Sequence, residues 1–218
     1  MDVKTIILDF DGTIVESVGI KDEAFKILFN KYPEHLDRIM EYHLANNATV
    51  RFDKFKYITE NILNQEYNED TKRILSNRFS ELVFKRIVEC PYVNGAEEFL
   101  EHFWSRIPLY LASASPVEEL GKILEARDLK KYFENIYAIP WAKMDVIQDI
   151  LKRENILPEE ALFIGDAFED YEASRLTNVF FIGRDSNKSF HGADIPIFKN
   201  MSDVKAFLLQ VNWIHEKQ

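Results

Sequence analysis

Short apolar runs separated by stretches of helical periodicity set the pattern of this chain. "TIILDF" comes first, followed by "IPLYLAS", "NIYAI", "ALFIGD" and "VFFIGR", with "IPIF" a short sixth. Continuous apolar runs of this length suit strands buried on both faces of a parallel sheet. Helical patterns fall between the later runs, at about 116–127, 143–154 and 169–177, with another near 202–212. Strand–helix alternation implies right-handed crossovers and a doubly wound α/β domain. The string "SPVE" marks one helix start, with Ser115 as the capping residue, Pro116 at the first helical position and Glu118 three residues after the cap. A helix beginning there would turn its free N–H groups toward whatever binds at the end of "LYLAS".

Residues 16–90 break the alternation. They hold no strand-like run, and no glycine occurs between Gly19 and Gly95. Phe25, Ile27, Leu28 and Phe29, then Phe52, Phe55, Ile58 and Ile62, recur at roughly helical spacing. "NEDTKRILSNRFSELVFKRIVE" reads as one long amphipathic helix. The expected organisation is an α/β core domain formed by 1–15 and 91–218, interrupted by an all-helical domain over 16–90.

Composition narrows the class. The chain has 218 residues, 46% hydrophobic and 29% charged, as in a soluble globular protein with a sizeable core. A formal net charge of -10 argues against a nucleic-acid or anionic-membrane partner, although it leaves room for a local positive pocket. Cys90 is the only cysteine, so there is no intrachain disulfide and a reducing compartment fits. The apolar part of "MDVKTIILDF" is too short for a signal-peptide core, acids follow it at once, and no run approaches the length of a transmembrane helix. The expected location is cytoplasmic.

The chemistry gathers at the strand ends. "LDFDGT" places Asp9 and Asp11 one residue apart, and on a strand two such side chains would point the same way. Like charges on one side repel, more so when buried, so something positive should rest on them. The run "LYLAS" ends at Ser113, "GDAFED" supplies Asp166 and Asp170, and Lys143 follows "NIYAI" at the start of a helix. Gly12 and Gly165 allow close backbone approach at two of these ends, where ligands of open parallel sheets bind. Carboxylates gathered this way suit a hard cation; Mg2+ takes a few carboxylate oxygens together with water and substrate phosphate. The lysine and the hydroxyl suit the remaining phosphate oxygens.

"DFDGT", "LASAS", Lys143 and "GDAFED" resemble, in order, the four motifs of the haloacid dehalogenase superfamily, and the helical insertion resembles the C1 cap of its phosphoglycolate-phosphatase and β-phosphoglucomutase branch. The resemblance spans nearly the whole chain. It implies that Asp9 is a nucleophile that forms an aspartyl-phosphate, and that Asp11 is the acid and base, with its backbone carbonyl helping to bind Mg2+. Ser113 and the Ala114 N–H would hold phosphoryl oxygens, and Lys143 would bridge the phosphate and Asp9. Asp166 would ligate the metal directly and Asp170 through water. Motif three often reads glycine-lysine-proline in this branch, whereas Ala142–Lys143–Met144 stands here. Asp11 excludes a dehalogenase, which lacks this acid. A phosphonatase would need a Schiff-base lysine from the cap; Lys21, Lys26, Lys54 and Lys56 are present, and nothing in the sequence singles one out.

Bland readings stand beside these. Asp9 and Asp11 could be strand-end acids capping local N–H groups, Ser113 a turn residue, Lys143 a surface lysine, and Asp170 a helix cap. In the insertion, "ANNATVRFDKF" sets Asn47 and Arg51 at a helix–helix turn, where C1 caps often carry a specificity loop; Arg51 could meet a substrate anion or simply start a solvated helix. His43 and His102 read as packing or surface residues. The expected activity is hydrolysis of a small phosphorylated metabolite by a monomer or homodimer. The alternatives are a sugar-phosphate mutase of the β-phosphoglucomutase type and a catalytically idle binding protein.

Overall fold

The six apolar runs form a single sheet. In the computed structural model, which describes residues 2–46, 49–186, 190 and 192–214, the strands are β1 (Thr5–Leu8), β2 (Leu109–Pro116), β3 (Asn135–Ile139), β4 (Ala161–Gly165), β5 (Phe180–Arg184) and β6 (Ile197–Phe198). Their order is β3-β2-β1-β4-β5-β6, with every neighbouring pair parallel. The chain winds outward from β1 to β3, then returns to the far side of β1 for β4. That reversal opens a crevice at the carboxyl ends of β1 and β4. Ile6, Ile7 and Leu8 are wholly buried, as are Leu162, Phe163 and Ile164. Burial on both faces explains why these runs show no apolar–polar alternation.

The helices are α1 (Val18–Leu28), α2 (Leu36–Ala45), α3 (Arg51–Tyr57), α4 (Glu69–Glu89), α5 (Ala96–Phe103), α6 (Val117–Ala126), α7 (Lys143–Glu154), α8 (Phe168–Thr177) and α9 (Met201–Val211). The chain divides into two compact units, Met1–Glu16 with Cys90–Gln218, and Ser17–Glu89.

In the α/β unit, α7 and α8 cover one face of the sheet. Val146, Ile147 and Ile150 of α7 and Ala173 of α8 pack with Ile7, Tyr110, Phe163 and Phe181 in one apolar cluster. One expected helix start is corrected. β2 runs on through Pro116 and α6 begins at Val117, without a side-chain cap. Ser115 is therefore still in strand conformation, and its hydroxyl is committed elsewhere. No helix among the described residues is long and apolar enough to cross a membrane.

The helical unit is built around phenylalanines. Phe25 lies 5.1 Å from Phe79 and 5.5 Å from Phe55, and Phe55 lies 5.8 Å from Phe79, measured between ring centroids. α4 adds Phe79, Val83 and Ile87, an i, i+4, i+8 row that accounts for its amphipathic pattern. α3 continues as a single π turn over Ile58–Ile62, closed by the Leu63 N–H donating to the Ile58 carbonyl at 2.9 Å. The wider turn keeps Ile58, Thr59 and Ile62 all buried.

Of the four lysines considered in this unit, only Lys54 is buried, at 3% exposure. Its ammonium donates to His43 Nδ1 at 3.2 Å and to the His43 carbonyl at 3.3 Å, and His43 Nε2 bonds Asp22 at 2.9 Å. His43 also stacks on Phe25 at 3.9 Å, so it is a core residue with a polar task. Burial lowers the Lys54 pKa to about 8, aided by Lys21 and opposed by Asp22. An unfolded chain keeps lysine near its ordinary 10.5. Between these values the unfolded state binds more protons, so stability should rise with pH. Urea titrations at pH 8 and pH 10 should show a wild-type gain larger than that of Lys54→Met by roughly 1–2 kcal/mol. Equal gains would mean that Lys54 titrates normally.

Candidate active site

Asp9 follows β1 and Asp166 follows β4, and the register places them side by side. Leu8 pairs with Ile164, and the Asp9 N–H donates to the Ile164 carbonyl at 3.0 Å. Asp170 reaches the same point from the first turn of α8. One carboxylate oxygen from each acid lies within 4.8 Å of the other two, and all three residues are buried. Lys143, the first residue of α7, donates to Asp9 Oδ1 at 2.8 Å and also to Asp170 Oδ1.

Burial pushes the Asp9 carboxyl well above the usual range; Lys143 pulls it down, and Asp170, Asp166 and Asp11 add to the rise. Asp166 is pushed up to about 7 by burial and by Asp170, against the hydroxyl of Ser186, which donates to it at 2.5 Å. Burial disfavours the Lys143 ammonium, but Asp170 and Asp9 outweigh it and hold that charge above the ordinary lysine range. Three carboxylates against one ammonium leave negative charge unmatched among hard oxygen donors. The donor set fits a divalent cation of the Mg2+ kind.

Asp11 lies beyond the strand on which the expected alignment with Asp9 depends. β1 ends at Leu8, so period-two alternation does not extend to Asp11. It lies in a turn where Gly12 has a φ of 75° and donates its N–H to the Val15 carbonyl at 2.8 Å. Its carboxylate accepts the Ser115 hydroxyl at 3.3 Å and lies outside the trio of Asp9, Asp166 and Asp170.

Ser113 and Ala114 stand where the pairing of β2 with β3 loses register, between Ala112 and Pro116. Ser113 is buried and its Oγ accepts the Ser115 N–H at 3.1 Å, while Ala114 is exposed. Asp170 does two things at once. Oδ2 accepts the Ala167 N–H at 3.1 Å, capping α8, while Oδ1 meets Lys143. Gly165 makes room for it, since a Cβ there would sit 2.4 Å from Asp170 Oδ2.

Among the residues considered for specificity, Asn47 lies outside the described residues. Arg51 opens α3, half-buried; it donates to Ser80 Oγ at 3.3 Å, and its guanidinium lies 5.2 Å from the Phe79 ring centroid. Two residues of the site escaped the sequence reading. Ser186 lies just past β5, the one strand end among the first five from which no polar residue was collected. Ser115 was assigned to a cap.

Comparison with known proteins follows this geometry. The family model for haloacid dehalogenase-like hydrolases matches residues 6–184. A phosphoglycolate phosphatase of Psychrobacter arcticus is 23% identical, covering 95% of this chain and 92% of its own. A phosphorylated carbohydrates phosphatase of Thermotoga maritima is 26% identical, covering 81% and 82%. The solved β-phosphoglucomutase of Clostridium difficile superposes with a TM-score of 0.75 at 19% identity, covering 97% of both chains.

Gly165→Ala must displace the Asp170 carboxylate. It should weaken Mn2+ binding, read by titration calorimetry, by about tenfold or more while the chain still folds. Unchanged affinity in the folded variant would remove Asp170 from the metal set.

Proposed function

The chain belongs to the haloacid dehalogenase-like hydrolase family, and on that premise we propose that it is a Mg2+-dependent phosphatase of a small phosphorylated metabolite. The observation that carries this reading is the buried group of Asp9, Asp166, Asp170 and Lys143 at the crevice between β1 and β4. The two relatives named as phosphatases of phosphoglycolate and of phosphorylated carbohydrates support the substrate class. A reducing, cytoplasmic setting fits the single cysteine, Cys90, which is buried.

Asp9 attacks phosphorus through a carboxylate oxygen. The P–O bond to the leaving group breaks, and the leaving oxygen takes a proton from Asp11. Water then attacks the phosphoryl group on Asp9 and gives its proton to Asp11, which frees inorganic phosphate and restores the Asp9 carboxylate. Lys143 neutralises charge between Asp9 and the phosphoryl oxygens, and Ser113 with the Ala114 N–H holds those oxygens. Mg2+, held by Asp9, Asp166 and Asp170 with the Asp11 carbonyl, would add positive charge at the same oxygens. The ammonium beside Asp9 opposes the rise that burial imposes on its carboxyl, and a bound cation would add to that effect, as attack by a carboxylate requires.

A mutase shares the first half-reaction and passes the phosphoryl group to a sugar hydroxyl instead of water. The "LASAS" resemblance favours it, and "GDAFED" counts against it. An idle binding role is opposed by the presence of a residue at every proposed catalytic position.

The test is release of inorganic phosphate from a panel of small phosphate esters with Mg2+, with EDTA and in Asp9→Asn. Release should depend on Mg2+ and fall at least about a thousandfold in the variant, as expected when a nucleophile is removed. Activity surviving in Asp9→Asn would sink the covalent mechanism. Sugar-phosphate interconversion without phosphate release would favour the mutase.

A further inference from the structure

β5 ends in a buried cation that the proposed mechanism does not use. Arg184, the last residue of the strand, has a side chain 10% exposed. Its Nε donates to the Lys199 carbonyl at 3.2 Å and its Nη1 to the Gly12 carbonyl at 3.1 Å. Nη1 and Nη2 also grip the two oxygens of Glu16, at 3.2 and 2.5 Å, a two-pronged contact with one carboxylate.

These partners border the acid cluster on two sides. Gly12 directly follows Asp11 in the turn after β1. Within that turn Thr13 is fully buried and its hydroxyl has no hydrogen-bond partner among the described residues. The Glu16 N–H is anchored on the Pro91 carbonyl at 3.1 Å, which fixes the far end of the same segment. On the other side, Ser186 lies two residues beyond Arg184 and donates to Asp166. One guanidinium thus stands at the base of two arms. One arm carries Asp11 and the other carries the hydroxyl that orients Asp166.

We propose that Arg184, through Gly12 and Glu16, is a positioning residue that holds the Asp11 turn and the Ser186 segment in the arrangement needed for phosphoryl transfer. This rests on the phosphatase reading. Arg184 touches none of the reacting groups; it acts by setting where Asp11 and Asp166 stand. Only the planar guanidinium can hold the Glu16 carboxylate and the Gly12 carbonyl together. A lysine ammonium keeps the charge but not that geometry.

The test compares wild type with Arg184→Lys and Arg184→Met, at a temperature well below each melting point. It reads kcat and KM for the ester the wild type hydrolyses best, together with Mn2+ affinity by calorimetry. Arg184→Met should lower kcat by about 10–100-fold and weaken Mn2+ binding, the range seen when supports of metal ligands are removed, with KM changed little. Arg184→Lys should lose about tenfold in kcat. If Arg184→Met fails to fold, Arg184→Lys decides.

A purely structural ion pair predicts a lower melting temperature with wild-type kcat and Mn2+ affinity in the folded variant, and that result overturns the proposal. A wild-type chain that neither binds Mn2+ nor releases phosphate overturns the phosphatase reading and this proposal with it. A wild type that does both, beside an Arg184→Lys variant that matches it, overturns this proposal alone.

Discussion

Three buried carboxylates, Asp9, Asp166 and Asp170, lie within 4.8 Å of one another. At an effective dielectric constant of about 20, a pair of unit charges at that distance repels by roughly 3–4 kcal/mol. The strands on either side prevent relaxation, because the Asp9 N–H is bound to Ile164 and both strands are wholly buried. Repulsion must therefore be met by positive charge or by protons. Lys143 supplies one charge from the start of α7, and α8 begins at Phe168 beside Asp166. Two helix N-termini at one crevice add partial positive charge, each typically worth 0.3 to about 1 kcal/mol. Against them, burial and the neighbouring carboxylates hold the Asp9 and Asp166 carboxyls above their usual range. The remaining deficit is one that a bound divalent cation of the proposed kind would meet.

Much of the architecture follows from the same requirement. A parallel sheet with a reversal of winding brings the ends of β1 and β4 together from residues more than 150 positions apart in sequence. Gly165 leaves room for the Asp170 carboxylate against the β4 backbone, and Asp170 in turn caps the helix that holds it in place. Packing and electrostatics are thus tied at one residue. The oxygen that caps α8 and the oxygen that meets Lys143 belong to the same carboxylate.

This explains what the sequence made legible. Strands buried on both faces, β1 and β4 above all, appear as unbroken apolar runs, and the acids at their ends stand out against those runs. α7 is observed over Lys143–Glu154, as its periodicity predicts. Side-chain direction at the strand ends was not legible. Ser115 carries the local signature of a helix cap, yet β2 extends past it and the hydroxyl turns to Asp11. Asp11 fits the alternation of a strand that has already ended. Ser186 reaches Asp166, and Arg184 reaches Gly12 and Glu16, through tertiary pairing alone, with partners that local patterns do not name. In the helical unit the phenylalanine periodicity was visible, but the burial of Lys54 was not. A lysine gives no apolar signal, and its partner His43 lies 11 residues away in sequence.

The two acids of the first loop stand in different environments, which suit the different roles proposed for them. Asp9 is buried and bonded to an ammonium, whereas Asp11 is half-buried and bonded to a neutral hydroxyl. In the proposed mechanism a nucleophile needs its charge kept ready and its lone pair aimed; Lys143 works toward that against the burial of Asp9, and a bound cation would complete it. A group that gives and regains a proton in each turnover needs access to solvent and a partner that tolerates both forms. Ser115 is such a partner, since a hydroxyl donates to a carboxylate and can accept from a carboxylic acid. Exchanging the two environments would leave each acid unsuited to the step proposed for it, although the spacing in the sequence would be unchanged. The proposed division therefore depends on the turn at Gly12, which follows the end of β1 and carries Asp11 beyond the strand, and not on the pair of aspartates alone.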